Sequence, residues 1–254
     1  MPITKLTNVD FDKIIMLGIE EVYAFDRSTG ELKFAFDQIK SGELTGNNDV
    51  TYAEGKRGVR LATLKSNKTS GFNCENGYVV YSALATQMGA KIEEASEEAK
   101  IRVVRAELLA AADGKVTLSA APADDSLKVY ETNSDKTKKA VVVGATNADK
   151  VVTIPDATAG EIYLCVYDEE VTVAKRVVND GESFADDVKL VINMLGQDIC
   201  TSQQYLIQCV MPKASISGEW NMSLGNDPAV HSFNAEAMLD VCSIDSELCE
   251  FILC

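Results

Sequence analysis

Residues 113–178 repeat one pattern, a short run of β-branched and aromatic residues followed by a turn signal about every ten residues. The runs are 115–118, 127–130, 139–143, 151–154, 161–167 and 171–178. Short strands at this spacing favour a β-sandwich. We therefore interpret residues 112–180 as an inserted Ig-like β domain, while the alternative is that these strands continue one larger sandwich.

A second kind of pattern covers residues 59–89. Residues 59–64 alternate between apolar and mixed positions, as a half-buried strand requires. Residues 66–68, Ser-Asn-Lys, have turn chemistry, and residues 69–75 are expected to return as the partner strand. A short helix then follows, ended by Gly89 and with one apolar face formed by Val80, Leu84 and Met88.

Strand-like runs flank these two regions on both sides. Residues 20–25 and 31–36 predict a hairpin, because the residues between them form a turn that ends in Gly30. Further strands are expected in the C-terminal third, at 188–194, 204–210, 230–239 and 248–253. The sequence thus predicts a mainly β, antiparallel core domain with one packed helix, formed by residues 1–111 and 181–254 and interrupted by residues 112–180.

Residues 37–58 lack a clear apolar pattern and contain several glycines, which favours a long loop. At its end Lys56, Arg57 and Arg60 form a basic cluster in an acidic chain. We hypothesise that the segment is an arm that docks onto an acidic neighbouring subunit, and the alternative is an ordinary solvated loop. The candidate interface residues are Lys56, Arg57, Arg60, Gly55, Asn47 and Asn48.

The charge is unevenly distributed, although the net charge of the whole chain is −15. Residues 1–104 carry 15 acids and 13 bases, whereas from residue 190 onward Lys213 alone opposes eight acids. Such a surface repels phosphate backbones, so specific nucleic-acid binding is not expected. It suits a surface past which nucleic acid slides without sticking.

Catalytic and metal-binding patterns are not found in the sequence. It contains no phosphate-binding loop, no dinucleotide fingerprint, no zinc-protease helix and no nucleophile elbow. The seven cysteines are scattered, and Cys165 and Cys209 lie in apolar runs, which favours reduced, buried thiols over a zinc site. His231, the one histidine, is interpreted as a surface or interface residue. We predict no catalytic, cofactor-binding or metal-binding residue, and no enzyme activity.

No run of eighteen apolar residues occurs, and the first residues lack the apolar segment of a signal peptide. We therefore expect a soluble protein made in a cytoplasm, without contact with a membrane.

Three stretches resemble the major tail (tail tube) proteins of bacteriophages. They are residues 57–69 with the helix that ends at 87–89, the inserted region with 115–118, 127–131 and 159–167, and residues 208–233. The third stretch is similar to a family pattern that often contains Glu-Gly-Asp-Pro, where this sequence has Gly-Asn-Asp-Pro at 225–228.

The resemblance implies a tail-tube-type sandwich or barrel that forms hexameric rings, with the Ig-like domain outside. Stacked rings would form the tail tube of the virion, through which genomic DNA passes without specific binding. The implied partners are further copies of the chain and the tail sheath, tape measure and tail terminator proteins. The alternatives are a capsid decoration or other head or neck protein, and a carbohydrate-binding module, which one Trp and 7% aromatic residues disfavour.

Overall fold

The computed structural model describes residues 13–222, 230–240 and 247–253. Strands account for 57% and helices for 5% of the structure, the sheets are antiparallel, and the described residues contain one α-helix. The predicted mainly β fold is therefore confirmed. The Gly-Asn-Asp-Pro stretch at 225–228, two cysteines (Cys242 and Cys254) and residues 1–12 lie outside the described residues.

Seventeen strands are formed by the described residues, with α1 (Tyr81–Gln87) between the fourth and the fifth. They are β1 (Ile14–Asp26), β2 (Leu32–Phe36), β3 (Ile39–Glu54), β4 (Arg60–Asn76), β5 (Ile92–Glu94), β6 (Ile101–Ala110), β7 (Lys115–Thr117), β8 (Lys128–Thr132), β9 (Lys138–Val141), β10 (Thr146–Ala148), β11 (Val151–Thr153), β12 (Ile162–Val171), β13 (Lys175–Val177), β14 (Val188–Asp198), β15 (Gln204–Ile216), β16 (His231–Ala237) and β17 (Glu250–Leu253).

The chain divides into two compact units, Met1–Ile92 with Val177–Cys254, and Glu93–Arg176. In the first unit one sheet has the strand order β2-β1-β14-β15-β16-β4-β3, and β17 also pairs with β15. Alternate residues of β14, from Val188 to Met194, are buried on one face of the sheet, and α1 buries Ala83 and Leu84. The alternation of apolar residues in these strands therefore generates one continuous core.

Two predictions of local structure in this unit are confirmed, the hairpin that turns at Gly30 and the end of the helix at Gly89. β1 and β2 form the expected hairpin, in which Gly30 adopts a φ of 74° and its N–H donates to Asp26 O. Gly89, at a φ of 66°, follows the helix, and Ala90 N–H donates to Ala85 O as in a Schellman motif.

His231 lies in the core, so its interpretation as a surface or interface residue is wrong. Its side chain is 1% exposed, and its ring packs edge-on against Phe36 with the centroids 5.3 Å apart. Nδ1 accepts the N–H of Val80, the residue before α1, so the Nε2–H donates to Gln87 Oε1 at 2.7 Å. The histidine thus satisfies the start of a helix that has no side-chain cap of its own.

The interpretation of residues 37–58 as a loop is also wrong. These residues contain β3, which pairs with β4 from Ile39 opposite Asn76 to Glu54 opposite Arg60. The turn predicted at 66–68 is absent as well, because β4 continues through it with a β-bulge. Asn67 adopts a φ of 50° there, so its side chain serves a bulge and not a reversal of the chain.

The strand expected at residues 188–194 is longer in the structure than predicted. β14 continues to Asp198, whose carboxylate accepts the N–H groups of Cys200 and Thr201 at the start of the turn. This turn then leads into β15.

The second unit contains a four-stranded sheet, β6-β12-β8-β9, and a three-stranded sheet, β10-β11-β7. One core joins them, with Val116 and Val152 from the smaller sheet and Val129, Tyr163 and Cys165 from the larger one. This compact unit includes β6, which pairs with β12 along its whole length. The assignment of an Ig-like domain to residues 112–180 stays a prediction.

Five cysteines lie within the described residues, and their thiols are free. The burial expected for Cys165 and Cys209 is confirmed, and Cys74 is buried as well. Burial raises the pKa of Cys165 to about 11 and the pKa of Cys74 and Cys209 to about 12, so these thiols stay protonated at neutral pH.

No helix in the described part of the chain has both the length and the apolar character that crossing a membrane requires.

Candidate assembly surface

The hairpin of β3 and β4 extends beyond the sheet of the first unit. β16 pairs with β4 from Gly71 to Asn76 and ends there, so residues 45–69 form a two-stranded ribbon. Every residue of this ribbon is exposed except Gly55, which is half-buried. We refer to residues 45–69 as the ribbon and to residues 55–60 as its tip.

Two irregularities and a tight tip determine the shape of the ribbon. At the first bulge the Asn67 amide donates to Asp49 Oδ2 at 2.7 Å, and the second lies where Glu54 pairs with Arg60. At the tip Gly55 N–H donates to Val59 O at 2.7 Å, and Gly58 adopts a φ of 72°. Local hydrogen bonds therefore hold the ribbon in an extended form without a core beneath it.

Large apolar side chains are exposed along the ribbon. Their exposed fractions run from 41% to 70%, and the residues are Val50, Tyr52, Val59, Leu61 and Leu64. Directly paired residues lie on the same face, so Leu64 opposite Thr51 lies on one face and Tyr52 opposite Thr63 on the other. Apolar surface on both faces is typical of a segment that another chain covers.

The ribbon is basic although the chain is acidic. Two carboxylates, Asp49 and Glu54, are outnumbered by five basic side chains, Lys56, Arg57, Arg60, Lys65 and Lys68. The Arg60 guanidinium carbon lies 3.8 Å from the centroid of the Tyr52 ring, so an apolar and a basic group share one contact surface. The ribbon can thus bind a surface that is both acidic and apolar.

The structure places four of the six predicted interface residues together. Gly55, Lys56, Arg57 and Arg60 occupy the tip, whereas Asn47 and Asn48 lie at the first bulge. Six residues of strand, 49–54, separate these two groups, so Asn48 and Gly55 are roughly 23 Å apart. The role of all six residues in assembly stays a prediction.

Sequence reasoning missed the apolar part of this surface. Val50-Thr51-Tyr52 is a short β-branched and aromatic run that could have indicated β3, but the neighbouring Gly46-Asn47-Asn48 favoured a loop. Both Leu61 and Leu64 were predicted to be residues of a half-buried strand, with Leu61 on its apolar face and Leu64 on its mixed face. Both side chains are exposed because β16 ends before it reaches them. The sequence of β4 does not show where β16 ends.

The described residues offer little for catalysis. Among them, no group of three His, Cys, Asp or Glu side chains could hold a metal ion. Both ring nitrogens of His231 are engaged in hydrogen bonds, and burial lowers its pKa, so it cannot reach a substrate as a base.

Comparison with known proteins gave one family match. The model of the YomU/Tube protein family matches residues 17–246 and thus spans both units. No curated protein matches the chain.

Proposed function

The chain belongs to the YomU/Tube protein family, which indicates a structural, tube-type protein of a phage tail, and we propose that it is the subunit of the tail tube itself. In this proposal six copies form a ring, rings stack into a hollow tube, and genomic DNA passes through the tube at ejection. The protein is made in the host cytoplasm and functions in the virion without catalysing a reaction.

The ribbon is the observation that carries this proposal. A two-stranded ribbon is marginally stable in water when neither of its faces is covered. Here the 25 residues 45–69, two strands joined by a tight turn, have no core beneath either face and expose five large apolar side chains. A contact with another chain would bury this surface, and burial of each large side chain contributes about 1.5–3 kcal/mol.

A second copy of the same chain suits the charge of the ribbon. The ribbon carries a net charge of +3 from its five basic and two acidic residues, so the remainder of the chain carries −18. Each copy therefore brings its own acidic partner surface. A contact between two different surfaces of identical chains is heterologous, and such contacts produce closed rings or extended filaments.

The acidic remainder also suits the passage of DNA. A negative surface repels the phosphate backbone, so DNA would pass without being held.

Assembly of the purified chain tests the proposal. Light scattering and negative-stain microscopy over a range of concentrations should show rings or tubes with a central channel. A folded chain that stays monomeric at the highest concentration, without tubes, would overturn the proposal.

The position of the protein in the phage particle is a second test. Antibody labelling of native particles should decorate the tail along its whole length. Labelling restricted to the head would favour a capsid decoration protein instead.

A further inference from the structure

The C-terminal strand, β17, has one edge that the described residues leave open. β17 pairs with β15 through Ile207–Val210, while β16 pairs with β15 only from Ala214 to Ile216. Beyond the end of β16 the sheet therefore splits, with β17 on one side of the gap and the ribbon on the other. Among the described residues, β17 has no partner along its second edge.

This open edge carries apolar and acidic side chains together. Phe251 is 59% exposed and Ile252 38% exposed, although both belong to a strand. Glu247 and Glu250 are exposed as well, and neither forms an ion pair within the part of the chain that the structure describes. We call residues 247–252 the C-terminal edge.

The C-terminal edge and the ribbon are complementary in charge, and both expose apolar side chains. The ribbon presents exposed Leu61 and Leu64 beside basic Lys56 and Arg57, and the edge presents exposed aromatic and aliphatic groups beside two carboxylates. We propose that the ribbon of one copy docks on the C-terminal edge of a second copy. This inference rests on the proposed function and names the contact through which copies join.

The tip of the ribbon lies away from the C-terminal edge of its own chain. The base of the ribbon adjoins that edge, because Cys249 Sγ lies 3.8 Å from Ser70 Oγ. From Ser70 the strand runs ten residues to Arg60, a distance of roughly 30 Å, which carries the tip away from its own carboxylates. The tip therefore meets the edge of another copy, and repetition of this contact orders the subunits head to tail.

A mixing experiment tests this order directly. The tip variant is K56E/R57E and the edge variant is E247K/E250K. Each variant should fold yet fail to assemble alone. In each variant the tip and the C-terminal edge carry charges of the same sign, so they repel each other where one copy meets the next. A mixture of the two restores opposite charges at every contact, so it should form rings or tubes in which the two variants alternate.

The combined variant K56E/R57E/E247K/E250K should also assemble by itself. E97K/E98K is the matched control, since both residues are exposed carboxylates in the second unit, and its assembly should equal that of the unaltered chain. Circular dichroism and thermal unfolding establish that every variant is folded.

The outcomes separate this inference from the proposed function. Normal tubes from the edge variant, or a mixture that stays monomeric, would overturn the docking site while leaving tube formation intact. Failure of the unaltered chain to assemble would overturn the proposed function itself.

Carbodiimide cross-linking gives a second readout that requires no substitution. It should join Lys56 to Glu247 or Glu250, and in a mixture of ¹⁵N-labelled and unlabelled protein the linked peptides should include pairs of mixed isotope. Linked peptides that always share one isotope would show an intramolecular contact and contradict the proposal.

Discussion

The two halves of β4 both pair with β3, but they lie in opposite environments. Residues 70–76 alternate between the core and the surface, and Phe72 and Cys74 are buried. Residues 60–69 are exposed throughout, including Leu61 and Leu64. The difference is that β16 lies along the other edge of residues 70–76 only. Pairing with β3 therefore keeps β4 extended, and the third strand, β16, determines whether the side chains of β4 are buried.

The largest expected effect compares one buried residue, Phe72, with one exposed residue, Leu64. Phe72, which packs against Phe233 with ring centroids 6.4 Å apart, should cost about 3–5 kcal/mol of unfolding free energy when changed to Ala. Leu64→Ala in the ribbon should cost less than about 0.5 kcal/mol in the monomer, because Leu64 is already exposed. Urea unfolding measures both, and equal losses would show that the ribbon belongs to the core.

Reversal of the charge of the tip should act on assembly alone. K56E/R57E/R60E places three carboxylates on a surface that we propose to meet acids, and like charges at an interface cost several kcal/mol, on the order of 2–4. We expect a folded monomer and no tubes by electron microscopy. K115E/K128E/K136E, on exposed positions of the second unit, is the control with the same change in charge. Tubes from the tip variant would remove the ribbon from the proposed interface.

Acid should lower the unfolding free energy of the core through protonation of His231. Burial lowers the pKa of His231 in the folded state, so the unfolded chain takes up a proton first as the pH falls through about 6.5. The unfolding free energy should therefore be smaller at pH 5.5 than at pH 7.5. His231→Ala should cost about 1–3 kcal/mol at pH 7.5, because Val80 N–H and Gln87 lose their partner, and should flatten this pH dependence. A dependence that persists in the variant would assign it to other groups.

The smallest expected effect is that of Gly58→Ala at the tip, compared with Gly89→Ala at a second glycine with positive φ. A Cβ at Gly89 would lie 2.4 Å from the backbone oxygen of Phe184, whereas a Cβ at Gly58 would meet nothing within 4 Å. Gly89→Ala should clearly lower the melting temperature. Gly58→Ala strains only the tip, by about 1 kcal/mol, and should leave the melting temperature unchanged. Calorimetry of both variants measures the difference. A lowered melting temperature in Gly58→Ala would mean that the tip unfolds with the core.

Sequence reasoning located those strands in which an alternating apolar run is bounded by turn residues. The β1–β2 hairpin, α1 with Gly89, and most strands of the second unit were predicted in this way. It misplaced β3, because Gly46-Asn47-Asn48 suits a loop and a bulged strand equally well. It misread Ser66-Asn67-Lys68 for the same reason, since a positive φ at Asn67 is needed by a turn and by a bulge alike.

The candidate surface was predicted only in its charged part. Lys56, Arg57 and Arg60 stand out against an acidic chain, and no tertiary information is needed to notice them. The exposure of Leu61 and the burial of His231 depend on which strand lies alongside and where it ends. Both facts are properties of β16, which lies more than 150 residues away from β4 in the chain.

The paired strands at the ends of the second unit make that unit exchangeable. β5 and β13 pair where the chain enters and leaves it, and Ala95 N–H donates to Ala174 O at 2.8 Å. Paired residues of antiparallel strands have Cα atoms about 5 Å apart, a gap that a two-residue Asn-Gly turn can close. Residues 96–173 could therefore be cut out, or another domain grafted in, without stretching the strands of the first unit. A tube of the kind we propose, built from such chains, would carry one grafted protein on each subunit.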